Sequence, residues 1–375
     1  MNIKRSINIK PSERIEELES IRGLAALLVV FYHLPKWHSF LNISLINNGY
    51  LMVQLFFVLS GFVIYNAYSE KINSNNDLYR FQFLRFARLY PVHLLFLVIF
   101  LLIELIKYIA TKKYGFYGLH TVPFETNNLW AFIKHIFLIS SVLPNQPVTF
   151  NYPAWSISVE FYTYLFFGLS ILIIKKRNFL FFSIIAIIAL IMIATETTFG
   201  FDAILSCFAG FFIGSLIAGF IKKSTVELPQ LVSLFAFIGI VLFLQFKPAN
   251  KFDLLIYFFS ALMIITIVVG KNGWFKKALQ FPVLLWLGSI SYSVYMSHAA
   301  VEWFYNQIIK VVLKKPEIIG KDGNTVPQLS QSEAIIACLI VLISILLVSA
   351  FVNTYIEKPF REMAKKFSIR KFKNS

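Results

Sequence analysis

The stretch "SIRGLAALLVVFYHLPKW" spans Ser20–Trp37 and has the composition of a membrane-spanning helix with two polar interruptions. Arg22 stands near its start, and His33 lies well inside it. A charged side chain in a membrane-spanning segment costs a few kcal/mol even on the gentler insertion scales. Such residues are therefore candidates for function unless their side chains extend to the membrane interface.

The composition of the whole chain also indicates a membrane protein. The 375 residues are 58% hydrophobic and only 14% charged, whereas about a quarter of the residues in a soluble domain are charged. One soluble core cannot bury this much apolar surface, so the expected surroundings are a lipid bilayer. The net charge of +16 comes from basic residues between apolar segments, so we expect no nucleic-acid partner.

Hydrophobic runs predict an all-α, polytopic membrane helix bundle of about ten transmembrane helices. A bilayer core needs about 20 apolar residues per helix, and Cys207 and Cys338 fall within such runs as small buried residues with no disulfide or metal role. An amphipathic stretch at 129–142 is expected to lie along the membrane surface or to re-enter it. The predicted spans are 21–38, 50–68, 89–109, 155–174, 179–195, 202–220, 231–246, 253–270, 283–305 and 333–356.

Basic residues predict the orientation of these spans. Most of the 35 lysine and arginine residues lie in segments that would be cytoplasmic if the N-terminus is inside, which favours an even number of spans with both termini in the cytoplasm. No cleavable signal sequence is evident. We therefore predict a multi-pass protein of the cell inner membrane with a cytoplasmic N-terminal segment 1–19, a membrane domain 20–357 and a basic cytoplasmic tail 358–375.

Arg22 and His33 are expected to lie on the same face of the first span. They are 11 residues apart, which places them about 16 Å apart along a helix axis and within about 20° of the same direction. Arg22 alone is explained equally well as an orientation anchor. His33 is harder to explain in that way, because a buried imidazole needs polar partners and changes charge near neutral pH.

Arg85 and Arg88, in "FLRFARLYPVH", are predicted to share one face at the start of the third span, at its cytoplasmic edge. Guanidinium groups suit the recognition of phosphate, because their planar fork of donors matches its oxygens. The alternative is again orientation of the span. The R-x-x-R spacing is weak evidence by itself.

A third polar group opens the fourth span. Ser156, Glu160 and Tyr164 follow one another at intervals of four residues and so share a helix face. Aromatic residues at this position are also typical of the belt at a membrane interface. Glu160 is not explained by such a belt, since a carboxylate in an apolar helix needs a cation or a donor.

The ninth predicted span contains a polar stripe of Ser291, Tyr295, His298 and Glu302, spaced four, three and four residues apart. Hydroxyl and imidazole groups of this kind either tie helices together or take part in chemistry. The two histidines and a carboxylate are thus predicted in the outer half, and the three arginines at the inner edge. This layout suggests an anionic ligand that enters from the cytoplasm and a reaction deeper in the membrane.

The ordered set of these motifs resembles the acyltransferase-3 family of integral membrane acyltransferases. The matches follow the family order over nearly the whole chain, with Glu19 where the family often has Asp. They are "ESIRGLAALLVVFYH" (Glu19–His33), "GYLMVQLFFVLSGFVI" (Gly49–Ile64), "RFARLYP" (Arg85–Pro91), "WSISVEFY" (Trp155–Tyr162), "SYSVYMSH" (Ser291–His298) and "EKPFR" (Glu357–Arg361).

The resemblance implies a ten-helix enzyme that takes an acyl group, commonly acetyl, from cytoplasmic acyl-CoA. It implies transfer to a hydroxyl of a cell-surface polysaccharide or its lipid-linked precursor, with acetyl-CoA as donor substrate and no metal. By the same resemblance His33 is the catalytic histidine, Arg22 accompanies it, and Arg85 and Arg88 hold the CoA. The chain is expected to be of the type without a fused esterase-like domain.

Several alternatives remain open from the sequence. His33 could act as a general base or could accept the acyl group itself, and either Glu160 or His298 could orient it. A transporter or flippase of a glycolipid or organic anion would also place ionisable residues inside the membrane, although no internal symmetry typical of transporters is evident. An inactive relative that serves as an assembly partner is a third possibility.

Overall fold

The computed structural model describes residues 15–115, 122–174, 177–222, 225–319 and 325–372, and these are almost entirely helical. Two short antiparallel strands, β1 (Glu317–Ile319) and β2 (Thr325–Pro327), pair with Glu317 opposite Pro327. The helices are α1 (Glu16–His33), α2 (Ser44–Asn47), α3 (Met52–Tyr68), α4 (Asn75–Tyr114), α5 (Leu129–Ile136), α6 (Ala154–Ile174), α7 (Asn178–Ala194), α8 (Asp202–Ile221), α9 (Gln230–Phe246), α10 (Leu255–Val269), α11 (Trp274–Leu279), α12 (Pro282–Gln307), α13 (Gln331–Val352) and α14 (Lys358–Phe372).

A helix lies at each of the ten predicted positions, and the protein is a membrane protein. Within the described ranges, six helical stretches are long and apolar enough to cross a bilayer, and α7 and α9 are shorter apolar helices. α1 and α12 are not among the six. Four charged residues in α1 and the polar stripe of α12 set them apart. The count of ten crossings and the sides of the termini therefore stay predictions.

α4 differs from the prediction for the third span. It begins at Asn75, fourteen residues before the predicted start, because Ser74 and Asp77 form a capping box there and nothing interrupts the helix afterwards. Its 40 residues correspond to about 60 Å, twice the thickness of a bilayer core. The prediction that Arg85 and Arg88 lie at a helix start was wrong, since both lie inside α4.

α1 and α12 pack against each other unusually closely through two glycines. A Cβ atom placed on Gly288 would lie 2.2 Å from the carbonyl oxygen of Glu19, and one on Gly23 would lie 2.7 Å from the backbone nitrogen of Gly288. Small residues at such positions let helix backbones approach in a membrane. The contact holds the face of α1 that bears Arg22 and His33 against the polar stripe of α12.

α3 and α8 meet in the same way at a second close contact. A Cβ atom on Gly61 would lie 1.8 Å from the carbonyl oxygen of Phe211, and one on Gly214 would lie 2.0 Å from that of Val58. α6 also packs in this part of the bundle, where the buried rings of Phe167 on α6 and Phe211 on α8 meet edge to face. The polar face of α6 consequently points towards α3 and α12.

The stretch predicted at the membrane surface and the predicted cytoplasmic tail are both partly helical. In the stretch 129–142 only α5 is an α-helix, and it exposes Leu129 and Trp130. Residues 358–372 of the predicted tail form α14, which packs along α4 through a hydrogen bond from Arg80 Nε to Ser368 Oγ (2.8 Å). The predicted segment 1–19 lies largely outside the described residues.

Candidate active site

An open cavity in the centre of the bundle has a volume of about 80 Å³. It lies between α1, α3, α4, α6 and α12, so residues far apart in the sequence meet around it. Its polar lining has cations and hydroxyls on facing helices, and its remaining walls are apolar. The polar lining residues are Arg22, Ser60, Arg88, Ser156, Glu160, Tyr164, Ser291, Tyr292 and Tyr295.

The predicted face of α6 is confirmed as a single polar wall of this cavity. Ser60 Oγ on α3 donates a hydrogen bond to Glu160 Oε1 at 2.6 Å, and the Tyr164 hydroxyl donates to the same oxygen. Ser60 Oγ and the Tyr164 hydroxyl also lie 2.8 Å apart. Glu160 is therefore held by neutral donors from two helices and makes no hydrogen bond to His33.

Arg22 and Arg88 define what we call the arginine end of the cavity. Arg22 forms an ion pair with Glu19 one turn earlier, with 3.2 Å between Nη1 and Oε1. Arg88 has no ion pair or hydrogen bond among the residues that the structure describes, although Glu357, Glu19 and Glu160 all lie within electrostatic range of it. Its guanidinium is thus left available to a ligand in the cavity.

Arg85 does not join this end of the cavity. Its Nη2 donates to the Tyr68 hydroxyl at 3.2 Å, and its guanidinium lies 5.3 Å from the centre of the Tyr68 ring. The three-residue spacing puts Arg85 and Arg88 on neighbouring positions of α4, but their surroundings differ. Arg88 lines the cavity, whereas Arg85 contacts Tyr68 on α3.

His33 and His298, which we call the histidine pair, lie close together beyond the cavity. Their ring centroids are 5.3 Å apart, and Tyr152 packs against both, at 4.5 Å from His33 and 5.7 Å from His298. His298 is fully buried, and neither of its ring nitrogens has a side-chain or backbone partner within ordinary hydrogen-bond geometry. The backbone carbonyl groups of Val294 and Tyr295, on the same helix, lie close enough to interact with its ring.

Glu302, rather than Glu160, is the carboxylate beside the histidine pair. It lies one helical turn beyond His298, is 4% exposed, and accepts a 3.0 Å hydrogen bond from the Tyr152 hydroxyl through Oε2. Tyr152 lies in the loop before α6, where burial and then the Glu302 carboxyl raise the pKa of its phenol well above the usual value. The phenol therefore stays protonated and remains a donor.

Sequence reasoning did not select Tyr152 or Glu302 as site residues. The four-residue interval from His298 was the signal for Glu302, since it put the carboxylate on the same stripe. Tyr152 had no such signal, because it lies in a loop and reaches the histidines only through the fold. Lys36, which follows α1, is the nearby cation within electrostatic range of Glu302.

Tyr295 stands between the cavity and the histidine pair. It lines the cavity, and its hydroxyl lies 2.8 Å from Ser156 Oγ and donates to the carbonyl oxygen of Pro153 at 3.0 Å. Its ring centroid is 5.9 Å from that of His298. Of the two residues predicted to share a face of α1, Arg22 lines the cavity, and His33 is not among its lining residues.

Comparison with known proteins assigns this arrangement to a family. The acyltransferase-3 family model, described as an acyltransferase domain, matches residues 15–353. This chain belongs to the acyltransferase-3 family. It is therefore an acyltransferase, and the matched range includes the arginine end, the cavity and the histidine pair.

Relatives of this acyltransferase are found in bacteria and a virus. A protein of Acidianus two-tailed virus, named as a candidate acetyltransferase, is 26% identical over 76% of this chain and 82% of its own length. A candidate O-acetyltransferase of Staphylococcus aureus strain COL is 28% identical over 78% of this chain and 51% of its own length. The acyltransferase MdmB of Streptomyces mycarofaciens is 30% identical over 44% of this chain and 41% of its own length.

The chain spans about half the length of the staphylococcal relatives that it matches. No solved structure is significantly similar to it. Within the described residues, no group of three or more His, Cys, Asp and Glu side chains is placed to hold a metal ion.

Proposed function

We propose that this acyltransferase moves an acetyl group from acetyl-CoA to a hydroxyl of a cell-surface polysaccharide or its lipid-linked precursor, in the cell inner membrane. The observation that supports this most is the alignment of an arginine-lined cavity with a buried histidine pair behind its wall. The O-acetyltransferase names of the staphylococcal relatives support acetyl as the group and oxygen as its acceptor.

Acetyl-CoA binds with its phosphates at the arginine end, which faces the cytoplasm. CoA carries several negative charges, and Arg88 is a cavity-lining cation without a protein partner among the described residues. Charge-assisted hydrogen bonds from guanidinium to phosphate are among the stronger polar contacts in proteins. The apolar walls of the cavity suit the pantetheine arm, which brings the thioester past Ser156 towards Tyr295.

His33 acts as the general base at the reacting centre. It removes the proton from the acceptor hydroxyl while the oxygen attacks the thioester carbonyl. The new C–O bond forms as the C–S bond breaks, and the proton passes from the imidazole to the departing CoA thiolate. General-base catalysis of this kind typically contributes a factor of 10²–10⁴. Because His33 does not line the cavity, whereas Tyr295 lines it and lies 5.9 Å from His298, the Tyr295 side chain moves to let the thioester arrive.

Replacement of His33 tests the proposal directly. We expect His33→Ala to lower acetyl transfer in membranes by at least about 10²-fold, with acetyl-CoA binding retained, because the arginine end is untouched. The measurement is incorporation of labelled acetyl into surface polysaccharide at matched protein levels. The control is His38→Asn, which keeps a side-chain acceptor for the Phe40 N–H. Full turnover in His33→Ala would remove this residue from the mechanism.

The transporter alternative makes a different prediction for the purified protein. A transporter of a glycolipid or organic anion releases no thiol from acetyl-CoA, whereas an acetyltransferase releases one CoA thiol for each ester formed. Measuring free thiol and acetyl ester together therefore separates the two. The family assignment already favours the enzyme.

A further inference from the structure

We propose that Glu302, anchored by Tyr152, binds a second hydroxyl of the acceptor, adjacent to the hydroxyl that reacts at His33. This inference rests on the proposed function and names what that function leaves open, the part of the protein that recognises the acceptor. The ligand class is a compound with neighbouring hydroxyl groups, as in a saccharide. We call Glu302, Tyr152 and His298 the diol subsite.

Unpartnered buried polar atoms are the first support for the diol subsite. Glu302 Oε1 and both ring nitrogens of His298 have no hydrogen-bond partner among the described residues, although both residues are buried. Buried polar groups are nearly always paired, so an exception needs an explanation. An occupant that supplies hydroxyl groups would satisfy these atoms, because a hydroxyl both donates and accepts.

Two other buried histidines each have a hydrogen-bond partner for one ring nitrogen, so the lack of such a partner at His298 is not general in this protein. His93 Nε2 lies 2.9 Å from the carbonyl oxygen of His135, and His135 Nε2 lies 3.0 Å from Thr149 Oγ1. Each of these rings is tied into the structure by one nitrogen. Neither ring nitrogen of His298, next to His33, has a partner from another element, and the backbone groups that interact with its ring belong to its own helix.

The hydrogen bond between Tyr152 and Glu302 gives the carboxyl a fixed direction. Oε2 accepts from the Tyr152 hydroxyl at 3.0 Å, which leaves Oε1 as the free acceptor. The centroid of the Tyr152 ring lies 4.5 Å from that of His33. The residue that fixes the Glu302 carboxyl therefore also packs against His33. The acceptor would thus place its reacting hydroxyl at His33 and the adjacent hydroxyl at Glu302.

This arrangement predicts discrimination between acceptors. A site built to pair with a hydroxyl rejects an analogue that lacks it, because its own buried polar group is then left unpaired. A second hydroxyl is not consumed in the reaction, so its removal changes binding of the acceptor and leaves the donor untouched. The signature is a loss of affinity on deoxygenation that depends on Glu302.

The test uses methyl hexopyranosides as probe acceptors and detergent-purified full-length protein. The best acceptor of the panel is compared with its monodeoxy analogues, in wild type and in Glu302→Met, which has a similar size but no carboxyl. In wild type we expect removal of one neighbouring hydroxyl to raise the KM of the acceptor about tenfold or more. In Glu302→Met we expect the KM to be high for both acceptors and nearly equal.

Controls separate a binding role from a structural one. Affinity for acetyl-CoA is expected to stay within about twofold of wild type in Glu302→Met, because the arginine end is distant from the substitution. Glu362→Met, at an exposed position of α14, is the matched control and should retain the wild-type acceptor profile. If Glu302→Met fails to fold, Tyr152→Phe replaces it, since it keeps the ring and removes only the anchoring hydroxyl.

The outcomes distinguish the two proposals. An equal penalty for deoxygenation in wild type and in the variant would overturn the diol subsite and leave the acetyltransferase intact. Wild-type protein that acetylates neither surface polysaccharide in membranes nor any member of the panel would overturn the proposed function, and the diol subsite with it. Loss of discrimination in the variant alone supports the subsite.

Discussion

At the residue scale, the two arginines of the R-x-x-R motif have different surroundings. Arg88 lines the cavity without a protein partner among the described residues, whereas Arg85 is held by the hydroxyl and the ring of Tyr68. The same residue type thus faces the cavity in one case and packs against a neighbouring helix in the other. Only the neighbours supplied by other helices make the difference.

The different surroundings of Arg85 and Arg88 predict that their replacement lowers the affinity for acetyl-CoA by different amounts. We expect Arg88→Gln to weaken acetyl-CoA binding about tenfold or more, because a hydrogen bond to a charged group contributes about 1.5–3 kcal/mol. Arg85→Gln should change the affinity by much less, since its guanidinium contacts Tyr68. Direct binding to purified protein measures both variants. Equal losses of affinity in the two variants would contradict the separation seen in the structure.

At the element scale, the contact between α1 and α12 aligns the site. Gly23 and Gly288 bring the two backbones together, and this places His33 beside His298. Without that approach the polar stripe of α12 would face a different neighbour, and the histidine pair would separate. We therefore expect the glycines to influence the histidine pair although they lie at the other end of the helices.

Gly288→Ala tests the importance of this contact. The added Cβ would lie 2.2 Å from the backbone oxygen of Glu19, so α1 and α12 must move apart. We expect a lower midpoint of thermal unfolding in detergent and loss of most acetyl transfer.

Gly239→Ala on α9 is the matched control for this substitution. Its nearest contact would be a Phe259 ring atom at 3.7 Å, which is ordinary van der Waals distance. We expect this variant to keep both stability and activity. A Gly288→Ala protein as stable and active as the control would show that the close approach is dispensable.

At the scale of the whole molecule, the described residues form one helical bundle around the central cavity. α4 runs beyond the thickness of a bilayer core, and α14 packs along its extended N-terminal part. Basic residues are concentrated in these two helices. Their position supports the predicted cytoplasmic side, which is also the side of the arginine end.

The orientation can be tested by labelling single cysteines on the two sides of α3. The native Cys207 and Cys338 are buried and free, as predicted, and are first replaced by alanine. Ser39→Cys and Lys71→Cys then place a thiol at exposed positions before and after α3. We expect an impermeant maleimide to label Ser39→Cys in intact cells and Lys71→Cys only after permeabilisation. The reverse pattern would invert the topology.

The sequence alone determined the all-α membrane fold and the positions of ten helices, because hydrophobic runs and helical spacing depend only on local order along the chain. The shared faces of α1, α6 and α12 followed from the same spacing. The start of α4 did not follow from hydropathy, because a capping box and a charged amphipathic segment extended the helix beyond its apolar part.

Only the tertiary structure decided which polar residues meet. Glu160 accepts hydrogen bonds from Ser60 and Tyr164, and Glu302 rather than Glu160 lies beside the histidine pair. Arg85 contacts Tyr68, whereas Arg88 lines the cavity. Distances between helices depend on how closely their backbones approach, and here single glycines set that approach through contacts between residues 150 or more positions apart in the chain. Helical periodicity specifies the direction of a side chain on its own helix, but packing specifies what it faces.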